Sequence, residues 1–134
     1  MAKAIYPLVV LSVLLVSAGF AQELKPYPGA KLDEKASSEA SAATPGKQSQ
    51  VYTTSDSYDK VVAFYKPLYK QDSRMPPTGP KLANQQIKWA FFIIDSGTTL
   101  ANSKYWMKVQ YPYVGGTDGK DIREVTVIQT VRSK

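Results

Sequence analysis

The chain has 134 residues, a formal net charge of +6, no cysteine and no histidine. Those absences exclude disulfides, thiol nucleophiles, thiolate metal sites and any Ser-His-Asp arrangement, and they remove the commonest general base and zinc ligand. The 17 basic residues are scattered among 11 acidic ones, a balance that favours anionic surfaces but lacks the basic helix or aromatic pattern of a nucleic-acid binder.

Residues 1–21 read as an export signal. Lys3 gives a basic start, Leu8 to Val16 is apolar apart from Ser12, and Gly19 and Ala21 put small residues where a signal peptidase reads. Cleavage is expected before Gln22. The apolar core is too short for a lasting anchor, and no cysteine follows to carry a lipid. The expected product is residues 22–134, exported to the periplasm or the outside. Within it, 22–50 reads as an extended or flexible N-terminal segment and 51–134 as one α+β domain.

Pro26-Tyr27-Pro28-Gly29 predicts an extended lead-in ending in a turn. Lys31 to Ala36 predicts a short strand, and the Ser/Ala/Thr-rich stretch 36–50 a mobile loop or an edge hairpin. Val51 to Thr54 reads as a strand end. A helix follows, capped by Asp56 with Asp59 three residues on. Tyr58, Val61, Val62, Tyr65, Leu68 and Tyr69 form its apolar face, and Pro67 predicts a kink or a loosened end. Residues 71–86, with Pro76, Pro77, Gly79 and Pro80, read as a polar connection without helix or strand.

Three strands are expected next, at Ile87–Asp95, Lys104–Tyr111 and Ile122–Arg132. Pro112 and the glycines from Gly115 to Gly119 make the last link a flexible hairpin loop. Short links favour antiparallel pairing. The fold expected is therefore an antiparallel sheet of four to five strands with one amphipathic helix packed on one face.

Alternation places Ile87, Trp89, Phe91 and Ile93 with Tyr105, Met107, Val109 and Tyr111, and with Val125, Val127 and Val131, under that helix. The second face would then carry Ala90, Phe92, Ile94, Trp106, Thr126, Ile128 and Thr130, less polar than a solvated face should be. Three explanations stand: the N-terminal segment folds over it, two sheets dimerise through it, or it is a groove for a lipid, peptide or glycan.

Phe92 to Leu100 resembles the catalytic loop of pepsin-like aspartic proteases, an apolar strand leading into Asp95-Ser96-Gly97-Thr98. The resemblance implies Asp95 as the catalytic carboxylate, Ser96 and Thr98 as supporting hydroxyls and Gly97 as the turn. That chemistry needs two such aspartates, and the chain has one motif, so Asp95 is a catalytic candidate only in a homodimer. The same four residues are good turn chemistry at a strand end, the reading adopted.

Asp118-Gly119-Lys120-Asp121 lacks the spacing of a calcium loop and reads as a hairpin tip. Lys60, Lys66 and Lys70 read as a solvated helix face. Tyr27 and Tyr111-Pro112-Tyr113 offer aromatic faces for sugars, against packing near turns as the plainer reading.

Tyr27-Pro28-Gly29-Ala30, Thr54-Ser55-Asp56-Ser57 and Lys60-Val61-Val62-Ala63-Phe64-Tyr65-Lys66 together resemble small exported bacterial proteins and lipoproteins of unknown function. The resemblance implies a bacterial envelope setting and no known activity. The missing cysteine departs from the lipoprotein members.

These readings converge on a non-catalytic exported domain that associates with itself or an envelope protein through the second sheet face, at Phe92, Ile94, Trp106 and Ile128. The alternative is a small-ligand, lipid or glycan-binding module using that face or Tyr111 and Tyr113. No cofactor, no metal, no nucleic acid and no stable membrane anchor after cleavage are expected.

Overall fold

The computed structural model describes residues 23–82, 85–116 and 118–134. The export-signal reading of residues 1–21 lies outside them. The fold is α+β with a large antiparallel sheet, as expected, but the sheet has seven strands rather than four to five, and there are two helices rather than one.

In chain order the elements are β1 (Lys31–Leu32), α1 (Glu34–Ala43), β2 (Lys47–Thr54), α2 (Tyr58–Tyr65), β3 (Lys70–Gln71), β4 (Thr78–Leu82), β5 (Gln85–Ile93), a 3-10 turn (Leu100–Asn102), β6 (Tyr105–Tyr111), β7 (Tyr113–Gly115), β8 (Asp121–Arg123) and β9 (Thr126–Ser133). The large sheet runs β1-β2-β9-β6-β5-β3, with β4 also paired to β5, and β7 and β8 form a separate hairpin. The C-terminal strand thus lies mid-sheet, pairing with β2 along eight residues and with β6 on its other side.

Register decides which residues share a face. Phe92 stands opposite Met107, and Ala90 opposite Val109, which in turn faces Ile128. These residues, with Ile94 and Tyr105, are buried against Val61 and Tyr65 of α2. The expected face assignments of β5 and β9 were therefore both inverted relative to β6: Phe91 and Val127, expected under α2, lie on the opposite face. Phe92, Ile94 and Ile128 lie in the main core, each 1% exposed or less, and are not a second-face patch. Each such burial contributes roughly 1.5–3 kcal/mol. A one-residue change of register swaps every side chain between faces, and alternation within one strand cannot supply it.

The segment 23–30 packs on this same face. Tyr65 donates to the Lys25 carbonyl at 2.8 Å, and Tyr27 donates to Asp56 at 2.6 Å. That hydrogen bond, with burial and the Asp56 charge, pushes the Tyr27 phenol up to about 12. Asp56 is thereby occupied, and the cap of α2 is Ser57, whose hydroxyl accepts from the Lys60 N–H.

The strand expected over Lys31 to Ala36 stops at Leu32, and its end together with the first part of the stretch expected as a loop or edge hairpin forms α1. Asp33 caps it, accepting from the Ala36 N–H at 2.9 Å. It lies along the open edge of β2. Ser37 Oγ accepts from the Val51 N–H at 2.8 Å, and Ser41 Oγ accepts from the Ser49 N–H at 2.9 Å and donates to the Ser49 carbonyl at 3.1 Å. Four helical residues rise about 6 Å and two strand residues about 6.6 Å, so serines at i and i+4 meet strand positions at j and j+2. An edge that would otherwise recruit another strand is satisfied within the chain. The 71–86 connection likewise holds β3 and β4 against the outer edge of β5.

Candidate functional site

The second sheet face is built from three cross-strand rows. One runs Ser49, Val131, Trp106, Ile93; the next Val51, Gln129, Lys108, Phe91; the third Thr53, Val127, Gln110, Trp89. Two structures stand on it. Over the β2–β9 half, α1 packs Ala36 and Ala40 against Val51, Val127 and Tyr113. The β7–β8 hairpin forms the opposite wall.

Between those walls lies a cleft of about 190 Å³. Lys108, Gln110 and Gln129 form its floor, Glu39, Ala40 and Ala43 one wall, and Val114 to Gly116 part of the other. The walls are joined at one end. Arg123 pairs with Asp121 on the hairpin at 3.1 Å and with the α1 cap Asp33 at 3.1 Å, and its guanidinium lies 4.1 Å from the Tyr113 ring centre.

Lys108 occupies the middle of a central strand, where a charged residue is uncommon. Burial pushes its ammonium below the usual lysine range. No ion pair among the described residues includes it. Its Nζ lies 5.8 Å from the Trp89 ring centre, which supports the cation only modestly.

Beside the cleft runs an aromatic strip. Trp89 meets Phe91 edge-on at 5.4 Å, and Phe91 meets Trp106 at 6.0 Å. The indole N–H of Trp89 donates to the Pro76 carbonyl at 2.9 Å, and Gly79 lies so close to its ring that a Cβ there would approach to 2.8 Å. The 76–80 segment therefore clasps Trp89, and Trp106 remains half-buried.

The other candidates fall elsewhere. Of the residues expected on the second face, the structure keeps Trp106 there. Asp95 accepts from the Gly97 N–H at 3.0 Å, the Ser103 hydroxyl at 2.7 Å, the Lys104 N–H at 2.7 Å and the Tyr105 N–H at 3.2 Å. Burial works against its charge, and those hydrogen bonds outweigh it and hold the carboxyl below the usual range. It closes the β5–β6 loop, as turn chemistry requires. Tyr113 is 5% exposed with its ring under Arg123, and Tyr111 is half-buried opposite Lys88. Asp118 accepts from the Lys120 N–H and Asp121 is paired with Arg123. Lys60, Lys66 and Lys70 are exposed.

Sequence reasoning missed Lys108, Gln110 and Gln129. The signal was present: one lysine between Met107 and Val109 inside an apolar run. The wall above it was not legible, because it comes from α1 and from a hairpin read as a loop. No protein-family model, no curated protein and no solved structure matches the chain.

Proposed function

We propose that the chain is an exported binding domain that holds a small ligand through an anionic group in the cleft between α1 and the β7–β8 hairpin, with Lys108 as the anchor. The observation that carries this reading is a half-buried ammonium at the floor of a cleft, in no ion pair among the described residues. Burying an unpaired charge costs stability, and such groups concentrate where a ligand supplies the missing partner. Ala40, Val51 and Val127 offer the apolar part of the ligand a surface, while Gln110 and Gln129 supply polar groups. Export rests on the N-terminal leader, and a bacterial envelope setting on the resemblance carried by Tyr27 to Ala30 and Thr54 to Lys66.

The test is thermal stabilisation of the purified protein by a panel of small carboxylates and phosphates. A rise with a ligand, absent in Lys108→Met, is the expected result. A panel that moves neither protein rejects the reading. Association through the same face is the second reading, favoured by the half-buried Trp106 next to Phe91. With α1 standing on the other half, only the β5–β6 side is available to a partner, and a dimer that Trp106→Ala dissociates would select it.

A further inference from the structure

The opposite face carries a second, independent pocket. There β2 presents Gln48 and Gln50, β9 presents Thr130 and Arg132, and β6 presents Tyr105, in the rows Gln48–Arg132–Tyr105 and Gln50–Thr130–Met107. With Glu23 these side chains enclose about 150 Å³.

Arg132 is held in place without being used up. Its guanidinium lies over the Tyr105 ring at 3.9 Å, which fixes the plane of the fork. Nη2 donates to Glu23 Oε1 at 2.9 Å. Nε is buried and has no hydrogen-bond partner among the described residues. An orphaned buried donor calls for a partner, and a guanidinium edge of Nε and Nη2 matches the two oxygens of a carboxylate.

Glu23 fills that edge by one oxygen only. Its side chain is 74% exposed, while its backbone is fastened separately, its carbonyl accepting from the Tyr69 hydroxyl. The carboxylate can therefore swing away without unfastening the segment. Gln48, Gln50 and Thr130 are neutral, so Glu23 is the one acid among the described residues that line the pocket.

We propose that this pocket is a carboxylate-binding site for a small hydroxylated acid of the sugar-acid class, and that the Glu23 side chain is its internal competitor. The guanidinium edge takes the carboxylate. The amides and the threonine hydroxyl pair with ligand hydroxyls, which a simple fatty or aromatic acid lacks. The acid is free or the end of a longer acidic glycan.

The experiment is a backbone-amide NMR titration of the purified protein with galacturonate, tetragalacturonate and neutral galactose. Galacturonate is expected to shift the amides of Gln48, Thr130 and Arg132, and galactose to leave them unmoved. Glu23→Gln should tighten binding by about twofold or more, the weight of an exposed ion pair. Arg132→Lys should weaken it about tenfold, because the fork is lost. Binding of the tetramer alone would assign the site to a glycan end, and binding of both to the free acid as well. The proposal is overturned if galactose shifts these amides as the acids do, if neither galacturonate nor tetragalacturonate shifts them, or if Glu23→Gln leaves the affinity unchanged. The Glu23 variant decides the matter even if Arg132→Lys fails to fold. Lys108→Met, on the other face, should leave this binding as it was.

Discussion

Arg123 Nη1 donates to Asp33 Oδ2 at 3.1 Å across 90 residues of sequence, and that bond joins the two walls of the Lys108 cleft. Asp33 is also the cap of α1, so one carboxylate both starts the helix and ties it to the hairpin. Its charge is favoured first by the Ala36 N–H and then, against burial, by Arg123. Arg123→Ala is expected to cost roughly 1 kcal/mol in global stability, the combined weight of a partly exposed ion pair and a ring contact. The larger effect should be local. Amide exchange in α1 and in Tyr113–Gly115 should quicken together, as measured by hydrogen exchange.

Lys108→Met removes a desolvated charge and keeps much of the volume. Replacing buried charges by apolar groups is often stabilising, so the melting temperature should rise by roughly 2–6 °C in the absence of ligand. A thermal melt followed by circular dichroism checks this. A fall would mean that Lys108 has a stabilising partner.

Ser37→Ala with Ser41→Ala leaves the Ser49 and Val51 N–H groups without their helix partners. Each loss should cost about 1 kcal/mol. The uncovered edge of β2 should then pair with a second molecule, seen as a concentration-dependent rise in mass by light scattering. The single variants should show the stability loss with less association.

Asp95→Asn puts an amide N–H₂ among the donors that now meet a carboxylate. The expected loss is about 1–3 kcal/mol in chemical unfolding. Neither the parent nor the variant should show acid-optimum, pepstatin-sensitive cleavage, because the four hydrogen bonds to Asp95 come from the β5–β6 loop and the first residue of β6.

Asp72 gives the molecule an acid limb. The Leu100 N–H and the Arg74 guanidinium and N–H hold its carboxyl at about 2, against an ordinary value of 3.8. A lowered folded value means that its contribution is complete above the unfolded value and is lost as pH falls through the folded one. Melting temperature should fall between about pH 4 and pH 2, and Asp72→Asn should flatten that fall.

The sequence by itself determined the elements whose signal is local. The 58–65 helix follows from its apolar spacing, the long strands at 85–93 and 105–111 from alternation, and the Asp95 turn from four adjacent small polar residues. Tertiary structure decided the rest. The face that Phe92 and Ile128 occupy depends on which residue of β6 and β9 stands opposite, a relation between segments that no single strand encodes. The helix at 34–43 has few apolar residues, and what holds it is the match of Ser37 and Ser41 to an edge 14 and 8 residues further on. The cleft over Lys108 and the pocket at Arg132 arise only where those separate pieces meet.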